Sequence, residues 1–465
     1  MMRVAAIDQG TTSTRCLVVE SGGEARLVAS LRHAQHFPAP GRVEHDPEEL
    51  LANIRTALAA AGPVDAIAIA NQGESCLAWD AETGEPLSPV IVWQDARTAT
   101  MLAALGSEAL ARSQAISGLP LDPYFSASKL AWLLQNVPAV AAARAAGRLR
   151  LGTTDAFFLD RLCNTFATDI ATASRTGLLD FATLTWSGEL CALHGVPMEA
   201  LPPIRPVNAG FGAIDGVPVK VSIVDQQAAL YGHGCRALGD TKITFGTGAF
   251  LLAVTGTGRP LGSGLLPTVA WRRRDAETVF ALEGGVYDAG AALEWLRQIG
   301  LYAETHELDG FEGPSALSRG LVFVPALSGL AAPYWDRSAA PLFIGMQAAT
   351  DRRDMIRAAL EGIAMLTVGL IEAAATEVGT IATISIDGGL SQNAYFVSFL
   401  AAASGRSVLV PGLHEMTSLG LAELCGADVT RARGEVRCFE PDRSVSPDDH
   451  ARFAAAVSKS RGWRL

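Results

Sequence analysis

The residues able to do chemistry stand at the very start of the chain. The apolar run Val4-Ala5-Ala6-Ile7 ends on Asp8, and Gln9-Gly10-Thr11-Thr12-Ser13-Thr14-Arg15 follows before a second apolar run, Cys16-Leu17-Val18-Val19. Two strands joined through a polar, glycine-containing tip read as a β-hairpin. Backbone N–H groups and hydroxyls at such a tip can cradle phosphate oxygens. A carboxylate repels phosphate unless a divalent cation lies between them, so Asp8 points to Mg²⁺ together with a nucleotide. An ordinary surface hairpin can carry the same tripeptide, but a second copy shifts the balance. Lys242-Ile243-Thr244-Phe245-Gly246-Thr247-Gly248-Ala249-Phe250-Leu251 is again strand, Gly/Thr turn, strand. Two such hairpins, one near the start of each half, suggest a duplication and two domains closing on one polyphosphate.

The elements that must position these groups alternate between strand and helix. Asp46-Pro47-Glu48-Glu49 is a helix start, with Asp as cap, Pro at the first position and acids in the first turn. That helix runs to about residue 60 and ends at Gly62-Pro63. Residues 66–70 form a short buried strand that ends at Asn71-Gln72-Gly73-Glu74. Residues 89–95 read as a strand ending in Trp93-Gln94-Asp95, and residues 220–227 as one ending on Asp225-Gln226-Gln227. Polar residues just past the carboxyl ends of strands are where α/β sheets hold ligands. Residues 126–136, 139–147 and 391–404 read as helices, and 384–389 as a strand with a glycine turn. The domain boundary is placed near residue 234, giving domains 1–234 and 235–465.

Composition narrows the class. The 465 residues are 49% hydrophobic and 18% charged, enough for two or three domains with real cores. A net charge of −11 argues against nucleic acid or an anionic membrane as the main partner. The seven cysteines are dispersed with no C-x-x-C pair, which points to reduced thiols in the cytoplasm and not to disulfides or zinc. Asp8 interrupts the first apolar run too early for a signal peptide. The apolar residues 362–371 lie between Glu361 and Glu372, too short a run to span a bilayer, so no membrane insertion is expected.

Several stretches together carry a resemblance. They are the opening run from Ala6 to Arg15, Pro40-Gly41-Arg42-Val43-Glu44-His45-Asp46-Pro47, Ile91-Val92-Trp93-Gln94-Asp95 and Ser117-Gly118-Leu119-Pro120-Leu121-Asp122-Pro123-Tyr124. Further along come Asp225-Gln226-Gln227-Ala228-Ala229-Leu230, Phe245-Gly246-Thr247-Gly248, Ala332-Pro333-Tyr334-Trp335-Asp336 and Asp387-Gly388-Gly389. In this order the chain resembles the FGGY carbohydrate kinases, and within them the members that act on glycerol. The resemblance implies two α/β domains of the actin-like, ribonuclease-H-like ATPase fold with a cleft between them. It implies transfer of the γ-phosphoryl of ATP to a polyol or sugar hydroxyl, with Mg²⁺, in a dimer or tetramer.

The resemblance also implies roles. Asp225 is the general base, which a kinase needs to orient the acceptor and take its proton; capping the next helix is the alternative use of such an Asp. Asp8 holds Mg²⁺ through water. Thr11, Thr12, Ser13 and Arg15 face the phosphates from the first hairpin, and Gly246, Thr247 and Gly248 from the second. Gly290, Gly389 and Asn393 match adenosine-side positions. Gly73, Glu74, Trp93, Tyr124, Asp225, Gln226 and Phe250 match the acceptor pocket, where carboxylates and a phenol suit hydroxyls and aromatic faces cover carbon.

One position departs. The glycerol-acting members carry Asn-Gln-Arg-Glu where this chain has Asn71-Gln72-Gly73-Glu74. Losing hydrogen-bond donors to a buried hydroxyl costs about 1–3 kcal/mol, and an arginine replaced by glycine opens space. The expectations are therefore a kinase of glycerol or a close polyol, with a four- or five-carbon polyol or ketose as the alternative that fills that space. Two further alternatives are an actin-like ATPase with no small acceptor and a polyol sensor without catalysis.

Overall fold

The computed structural model describes residues 2–262, 264–442 and 444–464. By contacts the chain divides into two units. The first runs up to Gly234 and also takes in Thr268–Phe280 and Glu415–Arg433; the second comprises Cys235–Pro267, Ala281–His414 and the chain from Gly434 on. A single boundary near residue 234 lacks those two returning segments, which are too short and too ordinary in composition to announce where they dock.

A six-stranded mixed sheet forms the centre of the first unit. Its order is Ala213–Ile214, Val217–Val224, Ala66–Asn71, Arg3–Gln9, Ser13–Glu20, Ala25–Arg32. The strands Val217–Val224, Ala66–Asn71 and Arg3–Gln9 run parallel, with Gln9 and Val224 both in register with Asn71. The opening hairpin is as read, with Asp8 across from Arg15 and Gln9 across from Thr14. The helix Pro47–Ala61 packs its buried residues Leu50, Leu51, Ile54, Ala57 and Ala61 into the core of this sheet, and Asp46 caps it by accepting the Glu48 N–H at 2.9 Å. Burying each of the larger side chains contributes about 1.5–3 kcal/mol. A four-stranded sheet, Glu44–His45, Val90–Ile91, Cys76–Asp80 and Leu149–Thr153, carries a second small core with the helix Ser126–Asn136.

The second unit is built on neighbouring strands in the order Ala249–Gly256, Thr241–Phe245, Thr383–Gly388, Ser407–Pro411, Val436–Phe439. Its core helix, Arg352–Val378, has 27 residues and contains the apolar run at 362–371; it is long and apolar enough to cross a membrane, yet 78% of its apolar window is buried inside the fold. Sequence and structure differ at several edges. The strand expected at 89–95 is only Val90–Ile91, so Trp93 and Asp95 sit in the turn beyond it. The strand expected to carry Asp225 stops at Val224, and Asp225 opens the helix Asp225–Gly232. The helix expected at 391–404 is a 3₁₀ turn, Gly389–Gln392, followed by Ala394–Ser404.

The helix that begins at Asp225 is gripped by the returning helix Met416–Leu424. A Cβ on Gly420 would overlap the Ala228 carbonyl oxygen, and one on Gly232 would overlap the Met416 carbonyl oxygen. The two backbones therefore touch only because both positions lack side chains. Gly420→Ala is expected to lower stability by about 1–3 kcal/mol, read as a shift of the urea midpoint. Gly188→Ala, where a new Cβ has no heavy atom within 4 Å, is expected to change it by less than about 0.5 kcal/mol.

Candidate active site

The parallel register brings three polar strand ends to one edge of the first unit. Asp8 and Gln9 end one strand, Asn71 ends its neighbour and Asp225 follows Val224 on the third. Gly73 meets this third strand directly: a Cβ built on it would lie 3.0 Å from Val224 Cγ2. No other heavy atom lies within 4 Å of that position. Asp225 is half-buried, and its Oδ1 accepts the Gln226 N–H at 2.7 Å. Its helix is steadied at the next residue, where Gln227 Nε2 donates to Thr268 Oγ1 at 3.1 Å; Thr268 Oγ1 in turn lies 3.2 Å from Ser174 Oγ.

Near Glu74 the structure gathers Trp93 and Tyr124. The Trp93 and Tyr124 rings meet edge to face, 5.7 Å apart. Ser75 Oγ accepts the Trp93 backbone N–H at 3.1 Å, and Ser126 Oγ donates to the Glu74 carbonyl at 3.0 Å. Glu74 is 4% exposed and takes a left-handed backbone, φ 58°, uncommon for a residue with a side chain. The wholly buried Lys129 donates to the Pro123 and Tyr124 carbonyls at 3.1 and 2.7 Å, and burial pulls its ammonium pKa down. The turn holding Trp93 hangs from Asp95, which accepts the Val43 N–H at 2.7 Å and pairs with Arg97, itself paired with Glu44.

The first hairpin's tip touches this group. Trp93 Nε1–H donates to Thr11 Oγ1 at 2.9 Å, and His33 Nε2 lies 2.9 Å from the Thr11 carbonyl. Gly10 N–H closes the tip on the Ser13 carbonyl at 3.0 Å, and Thr12 is exposed. Arg15 has a protein partner: its Nη1 lies 3.1 Å from Glu415 Oε1, at the start of the returning helix.

In the second unit the turn Gly246-Thr247-Gly248 lies against the start of the helix Gly290–Gln298. Gly290 N–H donates to the Gly246 carbonyl at 3.1 Å, and Ala289 and Ala291 N–H donate to the Thr247 carbonyl at 3.1 and 2.9 Å. A Cβ on Gly290 would stand 2.5 Å from Gly246 O, and one on Gly248 would stand 2.7 Å from Val286 O. Gly388 pairs with Phe245 in the sheet, and Gly389 beyond it has open space where a side chain would be. Asn393 caps the helix Ala394–Ser404 through the Phe396 N–H at 2.7 Å, and its Nδ2 donates to the Leu308 carbonyl at 2.7 Å. Phe250, expected among the acceptor residues, lies in this second unit, across the hairpin from Thr244.

Each unit carries a glycine-containing hairpin, and in the first unit polar residues end three neighbouring parallel strands. Comparison with known proteins gives the family. Residues 3–232 match the N-terminal domain, and residues 241–428 the C-terminal domain, of the FGGY family of carbohydrate kinases. A glycerol kinase of Thermus brockianus is 42% identical over 492 aligned positions, covering 100% of this chain and 97% of that protein. Among solved structures, a Plasmodium falciparum glycerol kinase crystallised with ADP superposes with a TM-score of 0.89 at 29% identity, covering 99% of this chain and 98% of the other. A Lactobacillus acidophilus xylulose kinase shares the fold, with a TM-score of 0.85 at 19% identity, covering 99% and 97%. The chain therefore belongs to the FGGY family of carbohydrate kinases, ATP-dependent phosphotransferases of the two-unit, actin-like fold.

Sequence reasoning missed the buried polar layer behind the site. Asp169 caps the short helix Ile170–Ala173, accepting the Ala171 and Thr172 N–H groups at 2.8 and 2.9 Å. The Thr172 hydroxyl faces both Asp169 Oδ2, at 2.6 Å, and Asn71 Oδ1, at 3.2 Å. It has one proton for two acceptors. A protonated Asp169 resolves this by donating to Thr172, which then donates to Asn71. Burial, followed by the charge of Asp155, pushes the Asp169 carboxyl up to about 8. An Asp-x-x-Thr pattern ahead of a short helix was the available signal.

This sets a pH dependence. An unfolded Asp loses its proton near pH 4, whereas folded Asp169 keeps it to about pH 8. The stability gained is full below about pH 4 and is lost as pH rises through about 8. Burial lowers the pKa of His33, His45 and His194, so between pH 6.5 and 8 only the unfolded chain still sheds protons from them, which raises stability by up to about 0.4 kcal/mol per histidine; the native chain and Asp169→Asn share this part, so their difference isolates the carboxyl. Between pH 6.5 and 8 the native chain is expected to lose about 1–2 kcal/mol relative to Asp169→Asn. Urea midpoints at the two pH values check it.

Proposed function

We propose that this chain phosphorylates a hydroxyl of glycerol, with ATP as donor and Asp225 as general base. The observation that carries the reading is the level edge of three parallel strands that brings Asp8, Glu74 and Asp225 to one end of the first unit. It is supported by full-length relatives named glycerol kinase. In this reading the first unit binds the acceptor and the second the nucleotide.

Glu74, Trp93 and Tyr124 hold and cover the acceptor, with Gln226 beside Asp225 and Phe250 contributed by the second unit. Asp225 accepts the proton of the reacting hydroxyl as its oxygen forms a bond to the γ-phosphorus. The bond from that phosphorus to the β–γ bridging oxygen breaks, and ADP leaves. Thr11, Thr12, Ser13 and the turn Gly246-Thr247-Gly248 supply donors to the phosphate oxygens, and Arg15 joins them once phosphate replaces Glu415. The open face at Gly389 suits a close-lying adenosine, with Gly290 and Asn393 framing it.

The half-buried Asp8 carboxylate, at the strand end that leads into the hydroxyl-bearing tip, is a hard oxygen ligand of the kind Mg²⁺ takes. Bound there, Mg²⁺ would neutralise charge on the phosphates. The longer-acceptor reading rests on space at Gly73, where Val224 Cγ2 is the one heavy atom within 4 Å of a built Cβ; the full-length relatives named glycerol kinase favour the shorter acceptor. Assembly as a dimer or tetramer and a cytoplasmic location belong to the same proposal; sedimentation velocity would check the first.

ADP release is the test, with Mg-ATP and no acceptor, glycerol, erythritol, xylitol, xylulose, ribulose or dihydroxyacetone. Glycerol is expected to give the highest kcat/KM, EDTA to abolish turnover, and Asp225→Asn to cut kcat by 10²-fold or more while ATP still binds. Acceptor-independent ADP release, or turnover only with a longer acceptor, would refute the glycerol reading. Unchanged turnover in D225N would remove Asp225 from the role of base.

A further inference from the structure

One buried cation next to the acceptor group has no part in the reaction as described. Arg175 lies just past the short helix Ile170–Ala173 and is 1% exposed. Its Nε donates to Glu74 Oε1 at 2.7 Å, across 101 residues of sequence. Its guanidinium carbon lies 5.8 Å from the Tyr124 ring centre and 5.6 Å from that of Phe125. A guanidinium stays charged in a protein, so burying one is costly unless it is paired and hydrogen-bonded. Here the pairing falls on the carboxylate read as gripping the acceptor and on the faces of the aromatic residues beside it.

The local backbone makes such a partner necessary. Glu74 sits in the left-handed region with φ 58°, a conformation that persists in a non-glycine residue only when its surroundings over-determine it. Ser126 fixes its carbonyl; Arg175 fixes its carboxylate. The segment bearing Arg175 is itself tied to the neighbouring strand end, because Thr172 bonds Asn71 and Ser174 lies against Thr268. Movement of Arg175 is restrained at both ends.

We propose that Arg175 is a positioning residue for the acceptor: it sets the Glu74 carboxylate and backs the Tyr124 ring, so that both meet a polyol in fixed geometry. This rests on the reading of Glu74 as an acceptor ligand. It assigns to this site a guanidinium supplied from the 170–176 segment, in a chain whose strand end carries glycine at position 73.

Arg175→Lys and Arg175→Met, with Glu74→Gln alongside, test it by steady-state kinetics in glycerol and Mg-ATP. R175M is expected to raise the glycerol KM tenfold or more, and R175K by about threefold to tenfold, with the KM for ATP within twofold of native. E74Q is expected to raise the glycerol KM comparably, and E74Q/R175M to be no worse than the poorer single variant, because both changes remove one shared interaction. R175K keeps charge and most of the volume, so it carries the test if R175M does not fold. A folded R175K or R175M with native glycerol KM, or an equal loss in both KM values, would overturn the positioning role. A native glycerol KM in E74Q would instead overturn the reading of Glu74, and no turnover of glycerol by the native chain would overturn the proposed function.

Discussion

Everything at the site depends on one register. The strands Arg3–Gln9, Ala66–Asn71 and Val217–Val224 run parallel and end level, with Gln9 and Val224 both aligned on Asn71. A slip of one residue would turn every side chain on a strand to the opposite face of the sheet. Ile7, Ile67, Ile69 and Val219 would then leave the core that they share with the helix Pro47–Ala61. The hydrophobic pattern that fixes the fold therefore also fixes where Asp8, Glu74 and Asp225 emerge. Chemistry at the strand ends is a by-product of burial along the strands.

Behind that edge the molecule uses charge in places where water is excluded. Arg97 joins Asp95 and Glu44, and Arg175 joins Glu74. In the second unit Arg357 joins Glu361, whose carboxylate also accepts from Tyr395 and from the Ala316 and Leu317 N–H groups. Such pairs contribute little net stability against an apolar replacement, but losing one partner costs about 3–5 kcal/mol. Their value is geometric. Arg97–Glu44 and Arg175–Glu74 each tie a turn or a strand end to an element far away in sequence, so those loops inherit the rigidity of the core.

How much of this was legible follows from how local each signal is. The opening hairpin, the Asp46 cap and the Gly246-Thr247-Gly248 turn depend on residues within a few positions of one another, and the sequence displays them. The strand end at Asn71 was equally readable, since Gly73 and Glu74 follow it directly. What reads poorly is anything closed by distant partners. Arg175 sits among small and apolar neighbours and acquires meaning only through Glu74. Glu415 meets Arg15 from 400 residues away. Val224 looks like an ordinary strand residue until its methyl is found against Gly73. Strand lengths near Trp93 and Asp225 were overstated because an apolar run does not reveal where its ladder stops.

The glycine contact between the helices Asp225–Gly232 and Met416–Leu424 has a consequence for biosynthesis. The first unit is not finished when its first 234 residues have left the ribosome, because its closing helix belongs to the segment Glu415–Arg433 of a 465-residue chain. At the usual pace of about 5–20 residues per second, the backbone groove at Gly232 stays uncovered for about ten seconds or more while the second unit is made. A nascent chain held open that long needs protection from its neighbours on the same message. The arrangement couples completion of the first unit to translation of nearly the whole chain.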